Sequence, residues 1–145
     1  MDCIFYIETK KGLLSIYNHD GKETVSKKTL LNYLNCLCLS FGGNYTGRIA
    51  SYRHLTTWIQ KPIVYVNDDH VFLPTRAIKH ESCIVLNVMF IKSIRKRDVD
   101  VTTIIFINGL EIHIFENYRV IKKQYQRAKV FLDKLYWNSK YYEYF

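Results

Sequence analysis

Apolar positions along the chain change their spacing several times, and each change predicts an element. Short apolar-rich runs at 3–8, 12–18 and 23–27 predict strands, with Asp20-Gly21 supplying the positive backbone angle that a tight hairpin needs. From Thr29 the spacing lengthens. Leu30, Leu34, Leu37, Cys38 and Phe41 recur at three- and four-residue steps, and Gly42-Gly43 then provides a stop, so residues 29–41 are expected to be an amphipathic helix. After a turn at 42–44, Ile49, Tyr52, Thr56 and Ile59 give a second, poorer helical pattern, weakened by the branched pair Thr56-Thr57.

Lys61-Pro62 forces an extended entry into Ile63-Val64-Tyr65-Val66, and Asn67-Asp68-Asp69 turns the chain into Val71-Phe72-Leu73. Residues 83–94, 101–107 and 110–115 predict three adjacent strands, the last two flanking Asn108-Gly109, a strong hairpin signal. Asn117 is a good N-cap for one long helix over 117–137, whose core stripe is Tyr118, Ile121, Tyr125, Ala128, Leu132 and Leu135. The opposite arc carries Arg119, Lys122, Lys123, Gln126, Arg127, Lys129 and Lys134. The fold class expected is α+β: antiparallel β-hairpins forming a sheet, packed by an internal helix and a long C-terminal helix, in a single domain over 1–145.

Composition narrows the function. With 145 residues, 48% of them hydrophobic, the chain can bury one real core, and disorder is not expected. Its formal net charge of +8 favours polyanionic partners, and the excess is concentrated in the centre and after residue 117. The start Met1-Asp2-Cys3-Ile4-Phe5 has no signal-peptide pattern and no apolar run reaches spanning length, so a cytoplasmic protein with no membrane partner is expected. Cys3, Cys36, Cys38 and Cys83 do not space like a disulfide scaffold, and reduced thiols follow.

The stretch Cys38-Leu39-Ser40-Phe41-Gly42-Gly43-Asn44-Tyr45-Thr46-Gly47-Arg48-Ile49-Ala50 resembles the characteristic motif of the competence factor ComK family: a Cys, a Phe-Gly, then Tyr-x-Gly-Arg-x-Ala. The resemblance continues through Lys61-Pro62-Ile63, Phe72-Leu73-Pro74-Thr75, Cys83 with its apolar strand, and Phe106-Ile107-Asn108-Gly109, spanning roughly residues 36–132. It implies a transcription activator that binds A-tract and T-tract boxes, largely through the minor groove, as cooperating dimers that bend or wrap promoter DNA. A narrow A-tract minor groove concentrates negative potential and attracts inserted Arg, which suits such a protein. Longer family members continue into a tail that recruits the adaptor of a regulated protease. Its hydrophobic-Pro-Lys segment is not found here, so adaptor-controlled turnover is not expected.

The candidate DNA contacts are Arg48, Arg53, Lys61 and Arg76 in the centre, Lys92, Arg95, Lys96 and Arg97 near a strand end, and Lys122, Lys123 and Arg127 on the last helix. Arg48, beside a glycine turn, has a structural salt bridge or carbonyl clamp as its alternative. The two basic runs have solvated faces as theirs. Gly42, Gly43 and Gly47 suit turn geometry rather than a nucleotide loop. Zinc is disfavoured because Cys36 and Cys38, two apart on a helix, point about 200° apart, and His80-x-x-Cys83 alone is insufficient. No cofactor and no catalytic residue are expected, since nothing pairs Asp68, Asp69, Glu81, Asp98 or Asp100 with a histidine. An interaction module assisting a longer ComK-type regulator is the main alternative reading, and a nucleic-acid enzyme such as a metal-dependent nuclease the more distant one. In either case a homodimer or higher oligomer is expected, formed through the sheet edge near 101–115 or an aromatic surface around Tyr136, Trp137, Tyr141 and Tyr142.

Overall fold

The computed structural model describes the backbone of residues 3–143 and the side chains of residues 3–137. Within them the fold is α+β, as expected, but the strands divide between two antiparallel sheets. The larger contains β1 (Ile4–Lys10), β2 (Leu13–Asn18), β3 (Glu23–Ser26), β4 (Val64–Asn67), β5 (His70–Pro74) and β6 (Val85–Asn87), in the order β3-β2-β1-β6-β5-β4. The smaller contains β7 (Ile91–Asp98), β8 (Val101–Phe106) and β9 (Glu111–Ile114) in sequential order. The helices are α1 (Leu30–Leu39), α2 (Tyr45–Thr56) and α3 (Tyr118–Glu143).

Alternation sorts the side chains of the larger sheet into two cores. Ile7, Leu14, Ile16, Val64, Val66, Phe72 and Val85 pack with Leu30, Leu34 and Cys38 of α1. Tyr6, Val71, Leu73 and Leu86 pack on the other side with Ile104, Phe106 and Ile114 of the smaller sheet and Ile121, Ala128 and Phe131 of α3. A sheet covered on both faces needs unbroken apolar strands, which is why Val71-Phe72-Leu73 carries no polar alternate. Two turns set the registers of the hairpins. Lys11 and Gly12, at φ 50° and 77°, form the two-residue turn joining β1 to β2, and Gly109, at φ 87°, closes the Asn108-Gly109 turn joining β8 to β9.

Two expectations need correction. The run 83–94 is not one strand: the side chain of Asn87, fully buried, accepts from the amides of Val71 and Met89 and donates to the carbonyls of Ile4 and Asp69. That polar knot ends β6 and starts a 3-10 turn, Val88–Phe90, which carries the chain out of one sheet and into the other. The second helix starts earlier than its apolar pattern suggests. Asn44 accepts from the Gly47 amide as its N-cap, and Thr57, at φ 65°, ends it, leaving Ile59 outside and exposed.

Candidate nucleic-acid interface

Among the described residues strand β7 pairs with β8 alone, which leaves its other edge without a strand partner. The register Ile94↔Ile104↔Ile112 forms an inner column, and Arg95↔Thr103↔His113 is the adjacent outer one. Lys92, Arg95, Lys96 and Arg97 are all exposed. Arg97 contacts the imidazole of His113, whose Nδ1 also lies 2.8 Å from the hydroxyl of Thr103. Asp98, exposed at the end of β7, accepts from the Val99 amide, and the Val99 carbonyl accepts from Asn117 at the start of α3. Among the described residues, carboxylates pair with Lys10, Lys22 and Arg76, so none of the β7 cations is neutralised by an ion pair.

The last helix adds to this edge from one flank. Asn117 accepts from the amides of Arg119 and Val120, and Ile121, Gln124, Ala128 and Phe131 form the buried stripe. Gln124 and Phe131 were not in the expected stripe; Gln124 is held there by donating to the carbonyl of Lys61. Lys122 lies over the ring of Tyr118 at 5.5 Å and lines, with Lys92, Ile94 and Tyr125, a cleft of about 210 Å³ between β7 and α3. Lys129 lies over Tyr125 on the same flank. Arg127 is five residues and about 140° from Lys122, and stacks its guanidinium 4.8 Å from the ring of Trp58. Lys134 donates to the carbonyl of Leu55 near the end of α2. The expected track of Lys122, Lys123 and Arg127 is thus spread over two flanks, with Lys123 exposed between them.

The central candidates lie elsewhere. Arg48, in the first turn of α2, sends its guanidinium back to the carbonyl of Phe41 (3.2 Å) and over the ring of Tyr65 (5.3 Å), while its Nε is buried without a hydrogen-bond partner. This is the carbonyl-clamp geometry. The neighbouring amides are also occupied, that of Tyr45 by Asn35 and that of Gly47 by Asn44. Burial and a hydrogen bond to Asp68 push Tyr65 up to about 12, which keeps the ring beneath Arg48 neutral. Arg76 pairs with Glu116, and the carboxylate raises its already high pKa. Arg53 is exposed, its Nε donating to the carbonyl of Ile59, and Lys61 is half-buried. Of the eleven candidates, Lys92, Arg95, Lys96 and Arg97 lie along one strand, β7, with successive side chains on alternate faces, and Lys92 shares its cleft with Lys122 of α3.

Sequence reasoning passed over His113 and Trp58 as partners of Arg97 and Arg127. The Asn108-Gly109 turn fixes the pairing of Thr103 with His113, so the first was accessible from the pattern; the second depends on how α2 meets α3. No group of three His, Cys, Asp or Glu side chains among the described residues is placed to hold a metal ion. Cys36 is exposed and Cys38 buried, on different faces of α1. Of the aromatic surface, Tyr136 and Trp137 are exposed, and Tyr141 and Tyr142 lie outside the described side chains. No helix among the described residues is long and apolar enough to cross a membrane.

The class defined by these features is a small, strongly basic α+β domain with an open cationic strand edge beside a helix flank. The model of the ComK protein family matches residues 3–139, and the chain belongs to that family, one of competence-type transcription factors. The match extends beyond the resemblance on both sides and takes in the N-terminal hairpin. No curated protein and no solved structure matches the chain.

Proposed function

We propose that the protein is a transcription activator that binds AT-rich duplex DNA along the open edge of β7 and the adjoining flank of α3. The observation that carries this reading is that Lys92, Arg95, Lys96 and Lys122, along one strand and the neighbouring helix flank, have no ion-pair partner among the described residues. Cations held on a rigid strand can follow two phosphate rows, and arginine projecting from a narrow ribbon suits a narrow A-tract minor groove. Tyr118 and Tyr125 keep Lys122 and Lys129 over aromatic faces, which limits their wandering without neutralising them. Arg48 and Arg76 support the site indirectly, by fixing the turn before α2 and the start of α3.

A dimer or larger assembly belongs to the same reading, since repeated boxes need repeated readers. A gel-shift titration over a salt series tests it, comparing paired A-tract and T-tract boxes with a GC-rich duplex. Preferential binding to the AT boxes, a steep negative salt slope and competition by a small minor-groove ligand are expected. Equal affinity for the GC-rich duplex would sink the specific part, and a single copy on a two-box duplex at saturation, read by light scattering, would sink the assembly.

A further inference from the structure

A second feature lies on the α1 side of the larger sheet, which the smaller sheet does not cover. A cavity of about 600 Å³ opens between α2 and the segments 59–62 and 77–79, with Leu31, Ile49, Ile59, Pro62 and Ile78 along it. A second, of about 410 Å³, shares Leu31, Ile78 and Lys79 with the first and continues to Leu14 and Leu30. Together they make one open apolar trough. Ile59 is 67% exposed at its margin, more than an incidental surface contact with a core would leave.

Its rim is charged with one sign. Arg53, Lys61 and Lys79 border the first part and Lys27 and Lys28 the second, against the carboxylate of Glu81 alone. None of these cations has an ion-pair partner among the described residues. The Nε of Arg53 donates to the carbonyl of Ile59 at 3.2 Å, which ties this side chain to the margin of the trough.

We propose that this trough is a docking groove for a partner protein's acidic, apolar segment, extended, with Leu or Phe side chains on the floor and Asp or Glu carboxylates on Arg53, Lys61 and Lys79. Charge complementarity chooses the acidic residues, and the apolar floor chooses the rest. Duplex DNA satisfies the rim but offers no apolar group to bury on Leu31, Ile49 and Ile78. A compact anion would leave most of two joined, open cavities wet, whereas an extended chain of several residues spans both and places alternate side chains downward. This groove is separate from the β7 and α3 surface, and one protein can hold both partners.

Fluorescence anisotropy tests the proposal with a labelled peptide Asp-Asp-Leu-Asp-Phe-Asp-Leu-Asp, whose apolar residues alternate, and two controls, one with Ser for each apolar residue and one with Lys for each Asp. The parent peptide is expected to bind the folded protein, and each control at least about tenfold more weakly. Ile78→Ser, and separately Lys28→Glu with Lys79→Glu, are each expected to weaken the parent peptide about tenfold while leaving affinity for an AT-rich duplex unchanged. Lys28 and Lys79 are exposed, whereas Ile78 is half-buried against the α1 core, so circular dichroism checks the fold of each variant; hydrogen exchange on the unaltered protein provides a variant-free check, with protection expected in α1 and 77–79. Equal binding by the Ser control would reduce the effect to bulk charge and overturn the groove. Displacement of the peptide by duplex DNA, with matching losses of both affinities in the variants, would assign the face to DNA instead. No binding of the parent peptide would also overturn it, without touching the DNA reading.

Discussion

A Cβ added to Gly43 would lie 2.8 Å from the Nε of Arg48. Gly43 does not have a positive φ, so the glycine answers to this close approach and not to the turn. Moving the guanidinium aside would give up its bond to the Phe41 carbonyl and its contact with the Tyr65 ring. Gly43→Ala should therefore cost about 1–3 kcal/mol of unfolding free energy. Arg48→Ala should cost a similar amount and, in that background, Gly43→Ala should become nearly neutral. A denaturant double-mutant cycle measures the coupling, and additive effects would show the two residues to be independent.

Asn87 invites a second test, since one side chain holds four backbone groups on three segments. Asn87→Ala should lower stability by about 2–4 kcal/mol, because the amide of Val71 and the carbonyl of Ile4 lose buried partners, and the part-buried Met89 amide and Asp69 carbonyl lose theirs as well. Asn87→Leu would restore volume but none of the bonds, and should be no better. Chemical denaturation checks both, and a loss below about 1 kcal/mol would mean that water replaces the side chain.

These two residues also mark how far the fold was legible. The long helix, the Asn108-Gly109 hairpin and the buried stretch Val71-Phe72-Leu73 follow from spacing and turn chemistry alone. The break inside 83–94 does not, because Asn87 becomes a terminator only when strands distant in sequence bring their amides to it. The lysine of the Lys11-Gly12 turn was equally silent, being a residue without a strong turn preference. Legibility of the candidate interface stopped at charge. Sequence could nominate eleven cations, but the loss of Arg76 to Glu116, forty residues away, and the turning of Arg127 to Trp58 depend on tertiary contacts.

The thiols give a third prediction. Burial pushes Cys38 and Cys83 above the ordinary thiol value, Arg48 pulling Cys38 partly back, so the folded state prefers both neutral. An acid whose folded pKa is raised contributes stability that is intact below its unfolded pKa and lost as pH rises through that value toward the folded one. The midpoint of thermal unfolding should hold steady up to about pH 8 and fall above about pH 9. A thiol-specific reagent at pH 8 should titrate exposed Cys36 rapidly and leave Cys38 and Cys83 until denaturant is added. Rapid loss of all the thiols in the native protein would contradict the packing around α1 and β6.

The last prediction separates cations that are free from cations that are spent. Each Lys or Arg that displaces counterions from DNA adds about 0.9 to the salt slope. Arg95→Gln with Lys96→Gln, and separately Lys92→Gln with Lys122→Gln, should each therefore reduce the slope by about 2 and weaken binding at moderate salt. Neither pair supports the fold through an ion pair, and all four side chains are exposed, so unfolding should hardly change. Arg76→Gln should behave in the opposite way. It breaks a partly exposed pair with Glu116, which solvent screening keeps weak, and should leave the salt slope within error of the original. If the helix flank and the strand edge act as one surface, combining the two double substitutions should reduce the slope by about 4. A slope unmoved by any β7 substitution, with intact binding, would transfer the site to another face, and Lys123 with Arg127, on the far flank of α3, would be the first to examine, Lys123 lying between that flank and Lys122.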